Sequence, residues 1–131
     1  MDKRRASHET EISFSKLLSC AEKVLQNCPK AEITFVTAVK TGQGQIYTAV
    51  STASLSDEQI LQAMTQQQDT KAEYLLTIWK VGCLDIPSLG LREKLIALNE
   101  ENADALLLLQ GEGGYVVRTI GSTMPQKKTE E

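Results

Sequence analysis

Ile33-Thr34-Phe35-Val36-Thr37-Ala38-Val39, then Thr41-Gly42-Gln43-Gly44, then Gln45-Ile46-Tyr47-Thr48-Ala49-Val50 is the stretch on which the fold turns. The first run is β-branched and apolar throughout, the mark of a strand covered on both faces. A short link carrying two glycines favours a tight return, so the second run reads as the antiparallel partner of the first.

Upstream, Ser13 reads as an N-cap, and Phe14, Leu17, Leu18, Ala21, Val24, Leu25 and Cys28 follow at the spacing of one helical face, closed by Pro29. Downstream, Ser56 with Gln59 makes a capping-box pattern, and Asp57 and Glu58 suit the positive end of a helix dipole. Ile60, Leu61 and Met64 give that helix a narrow apolar face, and Gln66-Gln67-Gln68-Asp69 ends it in solvent. Tyr74–Val81 reads as a strand broken by Gly82, with Tyr74 and Trp79 on opposite faces. Pro87 and Ser88 open a third helix, with Leu91, Leu95, Ile96 and Leu98 inward and Arg92, Glu93 and Lys94 outward. Leu106–Leu109 is an interior strand, and Gly111, Gly113 and Gly114 turn it into a last strand, Tyr115–Ile120.

The expectation is an α/β protein: a three-layer α/β/α sandwich with one mixed five-stranded sheet in the order α-β-β-α-β-α-β-β. Residues 1–12 read as a flexible arm, 13–123 as a single domain and 124–131 as a polar tail. The strands at Tyr74–Val81 and Leu106–Leu109 are expected to run parallel to their inner neighbours, as products of strand–helix–strand crossovers.

Composition narrows the function classes. The chain has 131 residues, 41% hydrophobic and 24% charged, which is ordinary for a globular domain with a real core. A net charge of −3 argues against nucleic acid as a partner. No apolar run spans a bilayer, and Met1–Thr10 lacks the apolar segment of a secretory signal. Three cysteines, Cys20, Cys28 and Cys83, suit a reducing cytoplasm and read as buried apolar residues. The only histidine, His8, lies in the arm, so triads built on imidazole are excluded unless the arm folds back. Lys3, Arg4 and Arg5 are diluted at once by acidic neighbours and read as a solvated tail.

Gly44–Ser51, Pro87–Arg92 and the glycine turn before the last strand together resemble the cytidine deaminase family, in particular the small nucleoside branch that includes blasticidin-S deaminase. Gly44-Gln45-Ile46-Tyr47-Thr48-Ala49-Val50-Ser51 is similar to that family's second strand. Pro87-Ser88-Leu89-Gly90-Leu91-Arg92 resembles its Pro-Cys-x-x-Cys-Arg motif, with the proline, the spacing and the arginine kept. The glycine turn between the last two strands matches its antiparallel ending. The resemblance implies a deaminase-like fold from about Ser13 to Ile120 and a homo-oligomer, dimer or tetramer. It also implies zinc chemistry, for which this sequence lacks the ligands. Ser88 and Leu91 stand where the two thiolates belong, and Ser51 stands for a ribose-binding asparagine. No Cys or His lies between Leu55 and Gln62 for the first motif. Cys20-Ala21-Glu22 spells that motif by letter but falls in the first helix, before any strand.

Two readings follow. One is a non-catalytic deaminase-like protein, without zinc or other cofactor, serving as a ligand-binding or assembly module. Its candidate pocket is Ser51, Asp57, Glu58, Ser88 and Arg92, and helix N-termini there would favour a small polar or anionic ligand. The other is a zinc-independent enzyme acting on a nucleoside-like or other small anionic substrate. Asp57 or Glu58 would be its acid or base, and Arg92 would hold an anion.

Overall fold

The computed structural model describes residues 8–27, 34–52, 56–79 and 83–125. Helix α1 (His8–Gln26) leads to strands β1 (Phe35–Thr41) and β2 (Ile46–Ser51), then α2 (Gln59–Gln66) and β3 (Ala72–Trp79). A short β4 (Leu84–Asp85), α3 (Leu89–Leu98) and a 3₁₀ turn at Glu100–Asp104 follow. Strands β5 (Leu106–Gly111) and β6 (Gly114–Thr119) and a 3₁₀ turn at Gly121–Thr123 complete the described chain.

The strands form one mixed sheet in the order β2-β1-β3-β5-β6, with β4 paired to β3 beyond the end of β5. Because alternate residues of a strand face opposite sides, β1 feeds two cores. Val36 and Ala38 meet Phe14, Leu17 and Ala21 of α1, while Val39 meets Ile60 and Met64 of α2 and Leu91 and Leu95 of α3. The architecture is therefore the expected three-layer α/β/α sandwich, with β4 as a sixth strand. Each fully buried Leu or Ile contributes about 1.5–3 kcal/mol relative to an exposed one, so both cores weigh heavily in stability. Gly44 closes the β1–β2 hairpin at φ +87°, a conformation a Cβ would strain. No helix among the described residues is long and apolar enough to cross a membrane.

The structure corrects several local expectations. Strand β3 runs antiparallel to its neighbour β1, with Thr37 opposite Thr77. A right-handed crossover fixes the relation between the strands it joins, here β2 and β3, which are parallel but have β1 inserted between them. Strand β5 does run parallel to β3, and β6 antiparallel to β5. Helix α1 begins at His8, so residues 8–12 belong to it, and Ser13 is buried against the core rather than capping. Asp69 is 1% exposed, not a solvent-facing helix end. Arg92 is 8% exposed, not outward. Cys20 is half-buried and Cys83 exposed, in a loop where Trp79 N–H bonds the Cys83 carbonyl at 2.8 Å. Pro29, Cys28, Gly82 and the tail from residue 126 lie outside the described residues.

Candidate functional site

The parallel strands β2 and β3 both end, and β1 begins, at the same edge of the sheet, where the chain enters α2 and α3. Open α/β sheets place their ligand crevices outside such carboxyl ends. A cleft of about 290 Å³ lies here, lined by Phe35, Ser51, Ser56, Asp57, Thr77, Asp85, Ile86 and Ser88.

Its back wall is a helix cap shared between two elements. Ser88 is the N-cap of α3, and its Oγ accepts from Leu91 N–H at 3.1 Å. That hydroxyl donates to Asp57 Oδ1 at 2.6 Å, and Ser88 N–H donates to Asp57 Oδ2 at 3.0 Å. Asp57, 4% exposed, thus reaches from the turn before α2 to the start of α3 and meets the positive end of that helix. Helix α2 itself begins at Gln59, with Ser56 Oγ accepting from Glu58 N–H at 3.0 Å and the Gln59 amide donating to the Ser56 carbonyl at 2.9 Å.

The floor comes from the sheet. Phe35 stacks on Trp79 at 6.1 Å between ring centroids, 17° from coplanar. The Thr37 and Thr77 hydroxyls share a 2.7 Å hydrogen bond across β1 and β3. Asp85 stands opposite Thr77 on β4, and its Oδ1 accepts from Ile86 N–H at 2.8 Å.

Of the five residues expected at the site, Ser51, Asp57 and Ser88 line the cleft, and Glu58 and Arg92 do not. Glu58 turns along the outside of α3 to Lys94 Nζ, 2.7 Å away, an approach that Gly90 permits because a Cβ there would meet the Glu58 carboxylate. That bond raises the Lys94 pKa. Arg92 Nε donates to the Pro87 carbonyl at 3.0 Å, and Nη1 to the Thr123 carbonyl and hydroxyl, both at 3.0 Å. Burial pulls its pKa below the ordinary arginine range, with Glu93 and Asp57 acting in the opposite sense. Arg92 therefore ties α3 to the second 3₁₀ turn. Phe35, Thr77 and Asp85, which only the strand pairing brings here, were not expected at the site, nor were Ser56 and Ile86, which flank Asp57 and Ser88 in the chain.

These residues do not fit the zinc that the deaminase resemblance implies. A catalytic zinc needs three strong ligands and an open fourth position. Ser88 Oγ is engaged by both Asp57 and Leu91, and Leu91 is fully buried in the core. Among the described residues no three of His, Cys, Asp and Glu come together as a metal site. Cys20-Ala21-Glu22 lies on α1, across the sheet from the cleft, with Ala21 in the core.

No protein-family model and no curated protein matches the sequence. Solved structures do match the fold. The cytidine deaminase of Mycobacterium leprae superposes with a TM-score of 0.68 at 18% identity, over 86% of this chain and 98% of that one. That of Burkholderia pseudomallei gives 0.64 at 15% identity, over 85% and 95%. That of Mycobacterium tuberculosis gives 0.64 at 17%, over 86% and 94%. The chain has a cytidine deaminase-like fold.

Proposed function

We propose that this chain is a non-catalytic protein on a cytidine deaminase-like fold, whose cleft holds a small polar ligand without zinc. One observation carries the reading: the serine at the motif's first cysteine position is a structural cap, bonded on both sides by Asp57 and Leu91. A residue committed to holding α3 in place is not a metal ligand in waiting. The zinc-independent enzyme is less well supported, because Arg92 faces Pro87 and Thr123 and Glu58 faces Lys94. Neither is placed to hold or protonate a substrate in the cleft.

The test is zinc content by elemental analysis of the purified chain, together with turnover of cytidine and blasticidin S. We expect no stoichiometric zinc and no deamination, and Ser88→Cys with Leu91→Cys should remain inactive. Zinc at one per chain with measurable deamination would sink the reading. Assembly into a dimer or tetramer belongs to the same proposal, supported by Ile86 and Leu89, 38% and 40% exposed beside the cleft. A monomer by light scattering at micromolar concentration would remove it. The free thiols Cys20 and Cys83 support a reducing, cytoplasmic setting.

A further inference from the structure

Resting on the reading of the cleft as a ligand site, we infer that its occupant is an organic cation presenting N–H donors from a flat, apolar body. Helix N-termini alone suggest the opposite sign. Here, however, the positive end of α3 is already met by the carboxylate of Asp57, so an incoming anion would confront that charge. The nearby cations among the described residues are spent elsewhere: Arg92 on backbone and hydroxyl oxygens of Pro87 and Thr123, Lys94 on Glu58. Among the described residues lining the cleft there are two carboxylates, Asp57 and Asp85, and no Lys or Arg.

The two carboxylates differ in use. Both Asp57 oxygens accept from Ser88, whereas among the described residues Asp85 spends only Oδ1, on its neighbour's backbone N–H. Oδ2 of Asp85 is left at the mouth of the cleft as an acceptor for a charged donor. Phe35, stacked on Trp79, also lines the cleft, and an aromatic ring there suits a flat cation better than a flat anion. Hydroxyls of Ser51 and Ser56 supply further polar contacts. A space of about 290 Å³ is at the small end of ligand pockets and suits a one-ring molecule.

Three probes of one shape and different charge test this: benzamidine, benzamide and benzoate, titrated into the full chain by calorimetry. Trp79, the only tryptophan, reports the Phe35 floor through its emission. Benzamidine should bind about tenfold tighter than benzamide, the difference a charge-assisted hydrogen bond makes over a neutral one, with benzoate weakest. Asp85→Asn should bring benzamidine down to the affinity of benzamide, and Asp85→Glu should restore most of the gap. Equal or tighter binding of benzoate, indifference of benzamidine to Asp85→Asn, or no binding by any of the three would each overturn the inference. These readouts are independent of zinc and turnover. A reversed probe order on the zinc-free chain leaves the non-catalytic reading standing, whereas cytidine deamination with bound zinc would sink that reading itself.

Discussion

The two ends of the sheet solve the same problem in different ways, and the difference locates function. At the end where β3 begins, buried polar groups are consumed by the protein itself. Asn102, fully buried, donates to the Thr70 carbonyl at 2.9 Å and the Leu95 carbonyl at 2.8 Å, and accepts from Ala72 N–H at 2.8 Å. Asp69, 1% exposed, accepts at Oδ2 from both Thr41 Oγ1 at 2.7 Å and Tyr47 hydroxyl at 3.0 Å. At the other end both oxygens of the buried Asp57 are bonded to Ser88, but among the described residues the exposed Asp85 beside the cleft keeps an oxygen for solvent or a ligand. Buried polar chemistry that closes on itself is architecture; polar chemistry left over beside a cavity is a site.

The contrast can be broken by substitution. Asn102→Ala should cost the most, about 3 kcal/mol, because it strands the buried Ala72 N–H, takes the side-chain donors from the Thr70 and Leu95 carbonyls and leaves a void at a fully buried position. Thermal unfolding followed by circular dichroism would show it, and a loss below 1 kcal/mol would mean that the closed end is not the anchor described. Asp57→Ala should cost about 2 kcal/mol, since it orphans the Ser88 backbone and hydroxyl donors at the start of α3. Asp85→Asn should leave stability within about 0.5 kcal/mol, as an exposed residue outside the buried networks. A large loss there would make Asp85 architectural and erase the difference between the two ends.

The smallest effect is on pH. Partial burial first, and then its hydrogen bond to Asp69, raise the Tyr47 phenol above its ordinary pKa. The folded chain therefore holds that proton more tightly than the unfolded one. The stabilisation is complete below about pH 10 and fades as pH rises through the folded value. Lys94, also raised, loses its contribution over a neighbouring range and in the same direction. Urea midpoints measured from about pH 8 to about pH 11 should fall for the native chain, less for Tyr47→Phe, and less again with Lys94→Gln added. An unchanged slope in Tyr47→Phe would remove the tyrosine from this account.

How much of this was legible in sequence follows from which forces are local. The hairpins were readable because glycine turns and strand runs are local signals. Helix α3 was readable from its cap, Ser88, and the apolar spacing behind it. The antiparallel seat of β3 was not, since nothing in its residues says that β1 separates it from β2. Asp69 looked like the end of a polar run because its partners, Thr41 and Tyr47, lie on another hairpin. Arg92 looked outward by helical phase, but a 3₁₀ turn from the end of the chain covers it. The cleft was half legible. The motif resemblance pointed to Ser51, Asp57 and Ser88, whereas Asp85 and Phe35 enter only through strand order.

Strand β3 also sets a timetable. Its partners β1–β2 and β5–β6 are hairpins closed by short glycine turns, able to form early and independently. Joining them requires β3 to pair Thr77 with Thr37 across 40 residues, the kind of distant closure that makes chains fold slowly. Thr77 and the β4 residue Asp85 come into place with that step, so the cleft needs the β3–β1 pairing before it can exist. A molecule that fills it should consequently leave the refolding rate unchanged and act only as a brake on unfolding.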